Sequence, residues 1–197
     1  MKAGWMAETA LAVELAAYAG QVPPKLTVWI ESPHDLDVVV LAGAEGTAAR
    51  IFAQVGVKLE WKIGIPPDST PGENLTMAFD AEAPAHLDAN AMGYATVGGN
   101  GTVVHVFYRR VIRSHAKELV PVLLGHVMAH EITHVLEGIA RHSDRGLMKA
   151  NWKAEDYYQM SRRPMPFAPI DADLVTAHFA REAAAIPPGP KGIRATE

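Results

Sequence analysis

The sequence predicts an α/β domain in which a mixed five-stranded sheet lies over one long apolar helix. Residues 25–30, a helical stretch and residues 57–61 form a strand–helix–strand succession, which is typical of a parallel crossover. Residues 75–79 and 102–108 are two more stretches rich in β-forming side chains. The next segment is apolar on most of its faces and reaches a natural helix stop at Gly138.

The remaining elements are predicted from spacing and from helix-breaking residues. Residues 36–55 have helical periodicity, with Ile51 and Phe52 facing the core. Residues 93–97 predict a short edge strand. Asp171 or Asp173 is the expected N-cap of a last helix that runs to about residue 185.

Composition limits the classes of protein to which this chain can belong. Its 197 residues are enough for one domain with a good core, and we predict that domain at residues 25–185. Residues 1–24 would form an amphipathic helix or a degenerate export signal, and residues 186–197 a disordered tail. The net charge of −4 predicts no nucleic-acid partner, and the absence of a run of about 18 apolar residues predicts no membrane span. Cysteine is absent, which excludes disulfides and thiolate ligands.

The stretch His130-Glu131-Ile132-Thr133-His134 carries the chemistry. On a helix, positions i and i+4 lie on one face, so both imidazoles can bind one zinc ion. Glu131 would then be the general base that takes a proton from a zinc-activated water. An ordinary amphipathic helix with two satisfied histidines is the alternative for these five residues alone.

A catalytic zinc site usually has a third protein ligand. Gly138 lets the chain turn back after the helix, so we predict His142 as that ligand. Glu155, 21 residues after His134, is the alternative. His126 lies one helical turn before His130, but it is about 12 Å from His134 along the helix axis, too far to share one metal ion.

The stretch from His130 to Trp152 resembles the metzincin clan of zinc endopeptidases, in particular its matrix-metalloprotease branch and a group of bacterial metzincin-like proteins. The resemblance lies in the H-E-x-x-H pattern, the following glycine, the pair His142-Ser143, and Leu147-Met148. It implies a zincin-like fold with a Met-turn, in which Met148 packs beneath the metal. The clan spacing is H-E-x-x-H-x-x-G-x-x-H, whereas here Gly138 comes four residues after His134 and His142 eight.

The resemblance and the motif together predict a zinc metalloprotease, a hydrolase with Zn2+ as cofactor and a peptide or protein as substrate. Metal ligands would be His130, His134 and His142, and the general base Glu131. Residues 93–97 would pair with an extended substrate, as the edge strand does in this clan; a plain hairpin without that role is the equal alternative. The resemblance also implies secretion, and a monomer is the favoured state. A zinc hydrolase with a non-peptide substrate and a non-catalytic module stapled by zinc are the alternatives.

Overall fold

The computed structural model describes residues 23–31, 36–67, 75–98, 101–114 and 117–185. The predictions for the N-terminal segment and for the tail lie outside these residues, apart from residues 23 and 24. The strands are β1 (Lys25–Glu31), β2 (Lys58–Ile63), β3 (Leu75–Phe79), β4 (Gly93–Gly98) and β5 (Gly101–Val106). The helices are α1 (Val38–Ala53), α2 (Tyr108–Ser114), α3 (Val120–Glu137), α4 (Ala154–Arg162) and α5 (Pro169–Ala185), with a short 3-10 helix at Lys117–Leu119.

The five strands form one mixed sheet in the order β2-β1-β3-β5-β4. Strands β2, β1, β3 and β5 are parallel to one another. Strand β4 runs antiparallel to β5, with Gly93 opposite Val106 and Gly98 opposite Gly101. The predicted mixed five-stranded sheet is therefore confirmed. Its last strand, β4, is an edge strand that also contacts α3, so one edge of the sheet that the described strands form lies beside the histidine-bearing helix.

Helices α1 and α3 form the most extensive contact between helices, and two glycines permit their close approach. A Cβ atom on Gly125 would lie 2.5 Å from both the Ala44 carbonyl oxygen and Thr47 Cβ. A Cβ atom on Gly43 would lie 2.8 Å from Pro121 Cβ. Glycine disfavours an isolated helix, so packing against α3 explains how α1 tolerates Gly43. Pro121 itself lies in the first turn of α3, where it costs no helical hydrogen bond.

Helix α3 is the central helix of the core. By length and hydropathy alone, residues 117–137 could cross a membrane, but 72% of that apolar window is buried inside the fold. Leu123, Leu124, Val127, Met128 and Ile132 are all at most 2% exposed. The apolar surface of α3 is therefore used in packing. The polar side chains that α3 also carries into the interior need hydrogen-bond or metal partners there.

Two boundaries differ from the sequence-based expectation. The strand predicted at residues 102–108 ends at Val106, and an unpredicted helix, α2, begins at Tyr108. Phe107 and Val111 are both buried and lie four residues apart, so a helical turn places them on one inward face. Helix α5 begins at Pro169, so neither Asp171 nor Asp173 is its N-cap, and the Asp171 side chain points inward, fully buried.

Candidate metal centre

Helix α3 presents His130 and His134 one turn apart. As predicted, the helix ends at Gly138, which has a positive φ of 69° and donates its backbone N–H to the carbonyl oxygen of His134 at 3.0 Å. This left-handed conformation is cheap for glycine, and it turns the chain back toward the two histidines.

The returning chain brings His142 to the same point. One nitrogen each from His130, His134 and His142 all lie within 4.8 Å of one another. The ring of His142 is 5.3 Å from that of His130 and 5.0 Å from that of His134, between centroids. Glu155, the alternative third ligand, is an exposed residue of α4 outside this group. The longer spacing between His134 and His142 is thus compatible with a three-histidine cluster.

The ring of His130 is oriented by the main chain. Its Nδ1–H donates a hydrogen bond to the carbonyl oxygen of Leu147 at 3.0 Å. Trp152 Nε1 donates to the same carbonyl at 3.2 Å, and its ring meets that of His130 edge-on at 5.6 Å. Because Nδ1 carries the proton, Nε2 of His130 presents a lone pair toward His134, which is the tautomer that a metal ligand requires.

The geometry and charge state of the histidines fit a divalent cation such as zinc. The Nε2 atoms of His130 and His134 are 3.1 Å apart, and two nitrogens on one tetrahedral zinc ion lie about 3.3 Å apart. Burial, reinforced by His134, lowers the pKa of His130 to about 3, and burial also lowers the pKa values of His134 and His142. Neutral imidazoles are the form that binds metal, so the cluster can hold a metal ion at neutral pH.

Glu131 lies beside the cluster and against the edge strand. It is only 8% exposed, and burial raises its pKa to about 8. A Cβ atom on Gly93 would lie 2.8 Å from Glu131 Cγ and 2.6 Å from the carbonyl oxygen of His105. Gly93 in β4 therefore leaves the space that the Glu131 side chain needs. The sequence reading missed this role because nothing in the local pattern pairs residue 93 with residue 131.

A buried carboxylate holds the two neighbours of His142. The Asp171 side chain accepts hydrogen bonds from Arg141 Nη2 and, at 2.7 Å, from Ser143 Oγ, while the backbone N–H of Ala168 lies 3.3 Å from its other oxygen. Arg141 also lies 3.5 Å from Glu137, whose pKa burial raises to about 7. Asp171 thus connects α5 to the segment that carries His142. The sequence pattern indicates Asp171 only as an N-cap of the last helix and does not predict this connection.

A second set of contacts supports the segment after the cluster. The Leu147 backbone N–H donates to the carbonyl oxygen of Pro166 at 2.9 Å, and that of Met165 donates to His126 Nε2 at 3.1 Å. His126 Nδ1 donates in turn to the Val122 carbonyl oxygen at 2.7 Å. The expectation that His126 lies outside the metal cluster is met, since both of its nitrogens are engaged within the protein. Met148 is fully buried, and its predicted place beneath the metal stays a prediction.

The cluster opens into a cavity of about 1190 Å³. One wall is the start of β4, and another is the segment from Lys149 to Trp152. Glu131 and all three histidines line it. A metal ion at the cluster would therefore be accessible to a large ligand.

No model of a known protein family matches the chain, and neither does any curated protein. A group of three histidines that can hold a metal ion, next to a buried glutamate and an open cavity, is what the molecule provides.

Proposed function

We propose that the protein is a zinc-dependent endopeptidase. The observation that carries this proposal is the convergence of His130, His134 and His142 at a cavity that is also lined by Glu131. Three neutral imidazoles with an open side are the donor set of a catalytic zinc site. The resemblance of residues 130–152 to metzincins supports the same reaction.

The residues would divide the work of hydrolysis. A zinc ion held by the three histidines would supply a Lewis acid that polarises a carbonyl group and acidifies a water molecule. Glu131 would take the proton from that water and then deliver it to the leaving amine. Burial alone favours the protonated form of Glu131, whereas a nearby dication favours the carboxylate, so metal binding would prepare the base.

An extended peptide would bind along β4. This strand is at the edge of the sheet, and Gly93, Tyr94 and Ala95 line the cavity. The free side of an edge strand offers backbone donors and acceptors to an added strand, which is a common mode of peptide recognition. Gly93 also contacts Glu131, so a peptide paired with β4 would pass directly beside the general base.

The open cavity argues against a purely structural metal. Structural zinc sites are usually closed by four protein ligands, whereas the cluster here has three histidines and faces a cavity of about 1190 Å³. A glutamate in the cavity wall, only 8% exposed, has no evident use in a structural staple.

Elemental analysis of the wild type and of His142→Ala tests the metal site. We expect about one zinc ion per chain in the wild type and a sharp fall in the variant. Unchanged zinc in the variant would reject the three-histidine site and mean that the third ligand is Glu155 or another residue.

Peptide cleavage tests the reaction, with Glu131→Gln as the matched variant because it preserves the size of the side chain. We expect Glu131→Gln to keep its zinc and to lose activity by a factor on the order of 10² to 10⁴. A wild type that binds zinc but cleaves nothing in a broad peptide library would refute the endopeptidase and leave the non-peptide hydrolase or the stapled module.

A further inference from the structure

The charges around the cavity differ from those of the whole chain. The chain has a formal net charge of −4. The cavity, by contrast, is lined by three cationic side chains, Arg110, Arg113 and Lys149, and by only two carboxyl groups, Asp88 and Glu131. A divalent ion on the histidines would add further positive charge. The cavity therefore attracts negative charge within a protein that as a whole is acidic.

The two arginines belong to the same wall, although they have different surroundings. Arg110 donates from Nη1 to the carbonyl oxygens of Asp88 and Ala91, so its guanidinium is held against the loop that precedes β4. Lys149 forms an ion pair with Asp156. Arg113 is exposed, one helical turn after Arg110 on α2, and it has no ion-pair partner among the residues that the structure describes.

The topology relates this wall to the bound peptide. Gly93 is the first residue of β4 and lies opposite Val106 at the end of β5, and α2 follows β5 directly. A peptide that adds to β4 in the antiparallel sense runs opposite to β4. The peptide residues that follow the one opposite Gly93 then continue past the start of β4. They run toward the loop before β4, and toward Arg110 and Arg113.

We infer that Arg113, beside Arg110, binds a carboxylate of the substrate on the C-terminal side of the scissile bond. The planar guanidinium suits a carboxylate because two of its five N–H donors are parallel and match the two oxygens. The carboxylate can belong to an Asp or Glu side chain, or to the free C-terminus of a short product segment. This inference rests on the proposed function. A carboxylate contact at Arg113 would make the proposed endopeptidase selective for substrates with a carboxylate on that side.

Peptide binding to the inactive Glu131→Gln protein, loaded with zinc, measures this preference without cleavage. Fluorescence anisotropy would compare three labelled peptides of one core sequence: an amidated peptide with Glu after the scissile position, the same amidated peptide with Gln, and the Gln peptide with a free C-terminus. We expect at least one carboxylate peptide to bind about five- to tenfold more tightly than the neutral amide at low salt. The preference should shrink as salt rises. Whichever carboxylate peptide binds more tightly identifies the source of the group.

Adding Arg113→Gln to the inactive protein tests the assignment to this residue. We expect the ratio of affinities, carboxylate over neutral, to fall to about one. Arg181→Gln is the matched control, because Arg181 is an exposed arginine on α5 that does not line the cavity, and it should preserve the ratio. Equal binding of all three peptides, or a preference that persists in Arg113→Gln, overturns the inference. Tight carboxylate binding with no cleavage by the wild type would instead refute the endopeptidase and keep the carboxylate site.

Discussion

Loss of the Asp171 carboxylate should weaken metal binding although Asp171 is not a ligand. Its oxygens hold Arg141 and Ser143, the two residues on either side of His142. His142 is the exposed member of the cluster and the one that no helix carries, so its position depends on these neighbours more than on its own packing. In Asp171→Ala both contacts disappear at once.

The magnitude follows from the burial of the contacts. Asp171 is fully buried, and removing one partner of a buried ion pair costs about 3–5 kcal/mol. The Arg141 side chain keeps 28% exposure and can recover some hydration, so we expect the lower end, about 3 kcal/mol in the metal-free protein. Loss of an outer-shell contact typically weakens metal affinity 10- to 100-fold. Asp171 acts through the neighbours of a ligand, so we expect about tenfold.

Zinc affinity would be measured by competition with a chromophoric chelator, and stability by urea unfolding without metal. Asp171→Asn should be intermediate, because an amide oxygen still accepts from Ser143 but does not neutralise Arg141. Gly125→Ala is the control for lost stability alone. A methyl group there meets Ala44 and Thr47 of α1 and none of the three histidines, so it should cost about 1–3 kcal/mol with little change in zinc affinity. Equal zinc affinity in Asp171→Ala and Gly125→Ala would refute the reasoning.

Two further predictions concern Gly93 and His126. In Gly93→Ala the new methyl group meets both Glu131 and the His105 backbone, so we expect a melting temperature several degrees lower, with zinc stoichiometry preserved; an unchanged melting temperature would contradict the close approach. Burial lowers the pKa of His126 to about 4, from its ordinary value of 6.5. Below pH 6.5 His126 is therefore protonated in the unfolded chain, whereas in the folded protein it stays neutral down to about pH 4. The free energy of unfolding falls as the pH drops through this window. Between pH 7 and pH 5 this amounts to about 2 kcal/mol, which His126→Gln should remove from the pH dependence of urea unfolding without metal; an unaltered dependence would disprove it.

Local patterns predicted the part of the site that lies within one helix. Helix geometry alone places His130 and His134 on one face. Gly138 predicted the end of α3 because few other residues adopt the left-handed conformation at low energetic cost. His142 was predicted as a ligand, and it joins the cluster although its spacing departs from that of the metzincin clan. The sheet was also predicted, since its strands have distinct β-forming stretches.

Contacts between distant segments were not predictable from these patterns. The reading of Asp171 as a helix cap used only its neighbours in sequence, whereas its role comes from Arg141, 30 residues earlier. Helix α2 was missed because the aromatic residues Phe107 and Tyr108 extend the β-forming pattern beyond Val106, where the ladder ends. In both cases tertiary packing decides between local alternatives that the sequence leaves nearly equal.

The order of these contacts along the chain has a consequence for assembly during synthesis. All three histidines precede Asp171, which accepts a hydrogen bond from Ser143, 28 residues earlier in the chain. A nascent chain that has emerged as far as α4 carries all three histidines, but it lacks the Asp171 carboxylate that accepts hydrogen bonds from Arg141 and Ser143 on either side of His142. The candidate metal centre is therefore complete only after α5 has been synthesised. A chain truncated before Pro169 should contain all three histidines but bind metal more weakly than the full chain.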